Sequence, residues 1–272
     1  MAENRNTSDL DLRSEVLASA ARVHDHLLGG HHGFAFDREF AQAHSSAVPL
    51  VRRLLRLERD FLNDAVLMML RRGIRQFLDL GAGLPSWGGV HDVASYLERG
   101  TVVVHVDHDL AAVEHGSLLL RDSGSGHYLH ADLVDVDGVL VTCAGNGWLD
   151  LDRPVGVLAV GVLDLLGAED DAERTMTRYA AELAADSMFA ITHRAPGFAG
   201  PHRATAASLL TAGRGSLCHR EIAGVRAMFG GTTLVKPGVV ALPHVWPGLR
   251  PRLVDPAVPR DAVLAGVSVK RR

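Results

Sequence analysis

Residues Phe77-Leu78-Asp79-Leu80-Gly81-Ala82-Gly83-Leu84-Pro85 form a short apolar run that ends in Asp-x-Gly-x-Gly. Such a run reads as a buried parallel strand, and its glycines let the backbone turn sharply and come close to a ligand. A second run, Val104-His105-Val106-Asp107-His108-Asp109, reaches an acid 24 residues beyond Gly83. A neighbouring parallel strand presents a carboxylate to a ribose diol from that place. Together the two runs predict a nucleoside-binding crevice.

What is missing narrows the nucleoside. A dinucleotide fingerprint needs G-x-G-x-x-G, but Leu84, Pro85 and Ser86 follow Gly83, so the third glycine is absent. A phosphate-cradling P-loop needs G-x-x-x-x-G-K-[ST], and the only lysines, Lys236 and Lys270, stand in no such context. S-adenosylmethionine, which has adenine and ribose but no phosphate, fits these constraints.

A chain of 272 residues, 47% hydrophobic, is long enough to bury one large α/β core with an added helical segment. The formal net charge of −4 and the scatter of arginines along the chain give no reason to expect a nucleic-acid partner. Cys143 and Cys218 lie far apart with no C-x-x-C, so neither a disulfide framework nor a zinc knuckle is indicated. The N-terminus from Met1 to Asp9 is polar, and no apolar stretch is long enough for a membrane span. A soluble, cytoplasmic protein with a small-molecule substrate is expected, and a homo-oligomer is compatible with the sequence. The 15 histidines raise the prospect of proton chemistry or metal binding at a cleft. His24 and His26, however, point about 200° apart on a helix and cannot share one metal, and no metal site is assigned.

Apolar residues from Leu12 to Leu28 recur at helical spacing until Gly29-Gly30 stops them, which predicts a first helix over 8–28. A histidine- and glycine-bearing loop follows. A second helix is predicted over 48–72, opened by Pro49 and closed by Gly73. Arg52, Arg53, Arg56 and Arg59 read as its solvated face. From Ile74 the texture changes to short apolar runs alternating with helical stretches, the pattern of a parallel sheet with crossover helices. Strands are predicted near 75–80, 101–106, 127–131, 155–161, 187–192, 232–236 and 262–269, with helices near 88–98, 110–121 and 170–185. The stretch from Pro237 to Pro259 is proline-rich, which favours an antiparallel end to the sheet. The division predicted is a helical cap over 1–72 and a Rossmann-like domain over 73–272, joined in one globular unit.

The blocks Arg22-Val23-His24-Asp25-His26-Leu27-Leu28-Gly29-Gly30, Ile74 to Pro85, Val90-His91-Asp92-Val93-Ala94, Val106-Asp107-His108-Asp109, Ala131-Asp132-Leu133, Leu151-Asp152-Arg153-Pro154-Val155 and Lys236-Pro237-Gly238-Val239-Val240 follow one another in order. In these blocks the chain resembles the actinobacterial S-adenosylmethionine-dependent methyltransferase family first catalogued as DUF574, over nearly its whole length from Arg22. The resemblance implies a class I methyltransferase fold, α/β with a seven-stranded, mostly parallel sheet, helices on both faces and an N-terminal cap. It also implies S-adenosylmethionine as cofactor and S-adenosylhomocysteine as product. By that likeness Asp79, Gly81, Ala82 and Gly83 lie under the methionine and ribose, Asp107 takes the ribose hydroxyls, and His108 flanks the adenine. Asp132 with Leu133 meets the adenine amino group, while Arg22, Asp25, Gly30 and Gly161 complete the cofactor site.

The chain also departs from the family. Tyrosine is usual where this chain has His24 and His26, a Lys-Asp-Asn-like triplet where it has His31-His32-Gly33, and Leu-His where Leu163 is followed by Asp164. Transfer from an already activated methyl donor asks the protein to align the reactants, exclude water and remove a proton. His24, His31, His32, Asp164 and His193 are the candidate bases. The expected function is methyl transfer to a small molecule, a specialised metabolite. The altered cap residues also fit an enzyme that uses the cofactor without methylating, and a noncatalytic cofactor-binding module is a third reading.

Overall fold

The computed structural model describes residues 18–44, 46–85, 89–122, 124–167, 171–198, 200–213, 216–242, 259 and 261–271. Its centre is a sheet of β1 (Gln76–Leu80), β2 (Val102–Asp107), β3 (Gly126–His130), β4 (Gly156–Ala159), β5 (Met188–Arg194), β6 (Thr233–Leu234), β7 (Val240–Ala241) and β8 (Val263–Val269). The order is β3-β2-β1-β4-β5-β8-β6, with β7 also paired to β8. The first five strands run parallel. β8 enters antiparallel between β5 and β6, as expected for a last connection that carries no crossover helix.

The strands expected from the sequence are all present, and β7 adds an eighth inside the proline-rich stretch. Val240 and Ala241 pair with Ala265 and Leu264, a ladder too short to leave an alternating pattern in the sequence.

The cap consists of α1 (Ala20–Leu28), α2 (Ala35–Ala43) and α3 (Val48–Arg71). Ser19 caps α1, its side chain accepting from the Arg22 N–H, and Gly29 ends the helix at φ 93°, as its place in the sequence indicates. The part of the predicted first helix before residue 18 lies outside the described residues. Where the sequence suggests only a loop before α3, the structure has α2. The fully buried Asp37 accepts the Ser19, Phe34 and Arg22 N–H groups, so a cap hydrogen-bond network, not an apolar stripe, sets this helix. The remaining helices are α4 (Val90–Leu97), α5 (Leu110–Leu119), α6 (Val136–Gly145), α7 (Ala172–Glu182), α8 (Arg203–Leu210) and α9 (Ile222–Ala227). Among the described residues no helix is long and apolar enough to cross a membrane.

Strand alternation divides the core between the two faces of the sheet. Phe77, Leu158 and Ala190 pack with Val23, Leu54 and Met69 of the cap. Leu78, Val157 and Ile191 pack with Val139, Met176 and Val225 on the other face. Helices α1 and α3 therefore share one apolar core with the sheet, and α3 runs along it from Glu58 beside the carboxyl end of β5 to Met69 beside the start of β4.

Candidate functional site

In an open parallel sheet, ligands bind outside the carboxyl ends of the strands, where the strand order reverses. Here that point lies between β1 and β4. Gly81 and Gly83 leave β1 with φ of +66° and +64°, a region that side chains with a Cβ rarely adopt. The Gly81 and Ala82 N–H groups both donate to the Val106 carbonyl, at 2.8 and 3.1 Å. A Cβ on Gly81 would lie 2.2 Å from Val162 Cγ2, so the turn after β1 is packed directly on the turn after β4. A Cβ on Gly83 would meet only Ala21 of α1, at 3.8 Å.

The tip of β2 closes on the same turn. Gly83 N–H donates to Asp107 Oδ2 at 2.7 Å, and Asp109 N–H donates to Oδ1 at 2.9 Å. Burial pushes the Asp107 carboxyl up, against these two backbone donors. Each oxygen retains acceptor capacity for an outside donor. Beneath the turn, His105 Nδ1 lies 3.0 Å from Asp79 Oδ2, and the His105 ring stacks on Tyr128 at 4.7 Å. The Tyr128 hydroxyl donates to the Gly83 carbonyl at 3.1 Å. Burial raises that phenol well above its usual range, so it stays a donor. A glycine cradle beside a carboxylate, with no lysine near it, suits an adenosine group that carries no phosphate.

A second polar group joins the tips of β4 and β5 to the cap. The Gly161 N–H donates to Thr192 Oγ1 at 2.8 Å, and the Thr192 hydroxyl donates to Glu58 Oε1 of α3 at 3.2 Å. Arg194 Nη2 donates to Glu58 Oε2 at 2.9 Å, and its Nη1 donates to Asp164 Oδ2. Glu58, Asp164 and Arg194 are all buried, and Asp164 Oδ1 and Arg194 Nε find no partner among the described residues. Burial pushes Glu58 up to about 6, opposed by Arg194 and reinforced by Asp164. His24 of α1 is pushed down to about 3 by burial, then by Arg59 and Arg194. Its ring is therefore neutral across the physiological range.

Residues 5–271 match the S-adenosyl methyltransferase family. The chain belongs to that family. By this membership it is an S-adenosylmethionine-dependent methyltransferase, and S-adenosylmethionine is its cofactor. A candidate methyltransferase from Thermobifida fusca is 28% identical, with 99% of this chain and 100% of that chain covered and a TM-score of 0.83. A DUF574 family protein from Streptomyces avermitilis is 30% identical, with coverages of 93% and 98% and a TM-score of 0.82. The plantazolicin methyltransferase, in complex with a triazolic desmethylPZN analog and SAH, shares the fold at 11% identity, TM-score 0.51 and coverages of 97% and 99%. Among curated proteins there is no match. The fold is that of the class I methyltransferases, as the sequence predicts.

The structure places the residues singled out in this methyltransferase's sequence unevenly. Asp79, Gly81, Ala82, Gly83 and Asp107 lie together at the carboxyl ends of β1 and β2. The His108 side chain is 82% exposed, with Nδ1 3.7 Å from Asp107 Oδ1. At the tip of β3, Asp132 is exposed and accepts the Val134 N–H, while the Leu133 carbonyl receives the Tyr179 hydroxyl. Arg22 pairs with Asp37 at 2.8 Å and lies over the Phe34 ring. Asp25 accepts the His32 N–H at 3.0 Å, and a Cβ on Gly30 would lie 2.1 Å from its Oδ1. These three belong to the framework of the cap. His32 also meets His115 of α5 edge-on at 4.8 Å, and His31 is exposed beside it.

His193 requires a correction. It is fully buried, and alternation along β5 turns it to the opposite face from Thr192 and Arg194. Its Nδ1 lies 2.9 Å from the Arg194 carbonyl, so it does not reach the crevice as a base on the acceptor side. Arg59, read from the sequence as part of a solvated face, is partly exposed, and its charge acts on both His24 and Tyr128. Glu58, Thr192 and Arg194 were not singled out at all. Glu58 had a visible signal, for it interrupts the apolar stripe of Leu54, Leu55, Phe61 and Leu62. A charge on the buried face of a helix needs a partner.

Proposed function

We propose that this methyltransferase transfers the methyl group to a small molecule, a specialised metabolite, at the crevice between the glycine turn and the Glu58 group. The supporting observation is the closeness of the cap. Ala21 stands against Gly83, and the Ser19 hydroxyl donates to Asp109 Oδ2 at 2.5 Å. A crevice roofed in this way favours a compact acceptor over a duplex or a folded protein surface. The free thiols of Cys143 and Cys218 accord with a cytoplasmic setting.

In this reading Gly81, Ala82 and Gly83 give the backbone access to the cofactor. Asp107 accepts from the ribose hydroxyls, and His108, Asp132 and Leu133 border the adenine. Arg22, Asp25 and Gly30 hold the cap in place, and Gly161 keeps the floor beside Glu58 low. When bound, S-adenosylmethionine supplies a methyl group already activated on a positively charged sulfur. What the chain adds is alignment, exclusion of water and a proton acceptor. A proton from an acceptor O–H or N–H would go to one of the candidate bases His31, His32 and Asp164, since burial and two neighbouring arginines make His24 a weak base.

The test incubates the protein with S-adenosylmethionine and pooled small-molecule acceptors and measures S-adenosylhomocysteine. Acceptor-dependent product, lost in Asp107→Ala, is expected. Methylation confined to protein or nucleic acid, or acceptor turnover without S-adenosylhomocysteine, would overturn the proposal.

A further inference from the structure

We propose that Glu58 is the counter-charge for the sulfonium of the bound cofactor, so that the cap helix α3 distinguishes the charged methyl donor from its neutral product. This rests on the crevice reading above and adds to it the recognition of one cofactor form over the other.

The first argument is charge. Glu58 and Asp164 share the single guanidinium of Arg194. His24, His193 and His219 lie within range of the charges of this group, and burial lowers all three, so none supplies a second cation. Thr192 contributes only a hydroxyl. Arg59, the next residue along α3, acts on His24 and Tyr128, whereas the charge that acts on Glu58 from a cation is that of Arg194. Two carboxylates against one guanidinium leave a formal surplus of one negative charge, enclosed at the junction of cap and sheet. A buried surplus charge is costly unless a partner compensates it.

The second argument is position. With the ribose at Asp107 on β2 and the adenine toward β3, the rest of the cofactor extends the other way along the sheet, over β1 toward β4. The turn after β4 is where Glu58 stands. A Cβ on Gly161 would come within 3.5 Å of Glu58 Oε2, so the carboxylate packs directly against the glycine of the turn after β4. S-adenosylmethionine carries one positive charge more than S-adenosylhomocysteine, and that charge sits on the sulfur next to the ribose. A carboxylate in a shielded site at that turn would be coupled to that charge far more strongly than one in water.

A merely structural Glu58 would affect both ligands alike, so the measurement is the ratio of the two affinities. Calorimetric titration of wild type and Glu58→Gln with S-adenosylmethionine and with S-adenosylhomocysteine is expected to show about tenfold weaker binding of the first and unchanged binding of the second. Equal losses for both ligands, or no loss for either, would overturn the proposal. The wild type provides a measurement that does not depend on the variant folding. Its preference for S-adenosylmethionine should diminish as pH falls from 7.5 to 5, through the region near 6 where the Glu58 carboxyl takes up a proton. A preference constant across that range overturns the proposal equally. Failure of the crevice reading looks different: Asp107→Ala would leave both affinities unchanged.

Discussion

The Asp107 carboxylate at the end of β2 accepts the Gly83 N–H at 2.7 Å, which ties the glycine turn to the acid that follows the neighbouring strand. One hydrogen bond thus joins the two sequence runs that predict the crevice. Asp107→Ala removes both the acceptor for that N–H and the group proposed to hold the ribose diol. Binding of S-adenosylmethionine should weaken by more than about tenfold, since a hydrogen bond to a charged group contributes about 1.5–3 kcal/mol. Calorimetric titration checks it, and an unchanged affinity would refute the ribose role.

Gly81 and Gly83 have nearly the same φ and very different surroundings, so alanine at each should fail differently. At Gly81 the new methyl would overlap Val162. Overpacking of about 1–3 kcal/mol then adds to about 1–2 kcal/mol for a left-handed alanine. At Gly83 only the conformational penalty applies, because the nearest atom is 3.8 Å away, but the methyl fills the crevice. Urea denaturation should show Gly81→Ala as the less stable variant. Cofactor titration should show that Gly83→Ala loses more affinity than its small stability change accounts for.

The fold was legible because alternation between strand and helix leaves a strong periodic trace, and β1, β2 and their terminal acids are short-range signals. What was not legible depends on contacts far apart in sequence. Arg194 is 136 residues from Glu58, and nothing local in Thr192-His193-Arg194 says which side chain turns toward the cap. His193 drew attention as a histidine at a strand end, yet the period of two puts it on the wrong face, and Arg194 beside it faces the cap. Likewise α2 is set by the three N–H groups that converge on Asp37, a pattern that no spacing in the sequence records.

The two thiols should differ sharply in reactivity. Cys143 is fully buried on α6, and burial pushes its thiol up to about 12, so almost none of the reactive thiolate exists at neutral pH. Cys218 is partly exposed. Iodoacetamide applied to the native protein should label Cys218 and leave Cys143 untouched until denaturant is added. Equal labelling of both in the native state, followed by mass spectrometry, would contradict the packing of α6.

Glu58 and His24 should give stability opposite slopes with pH. Glu58 has a folded value of about 6 against an ordinary 4.5. Between those values the unfolded chain has lost the proton that the native protein keeps, so this contribution falls as pH rises. His24 has a folded value of about 3 against 6.5. Between those values the unfolded chain holds a proton that the native protein refuses, so this contribution rises with pH and is complete only above 6.5. The slope approaches about 1.4 kcal/mol per pH unit for His24 and about 1 kcal/mol per pH unit for Glu58, whose two values lie closer together, and between pH 4.5 and 6 the two oppose each other. Relative to wild type, Glu58→Gln should become more stable with rising pH across that window, and His24→Gln less stable. Urea midpoints from pH 4 to 7 for the three proteins test this. Parallel curves would mean that neither group titrates as its burial beside Arg194 requires.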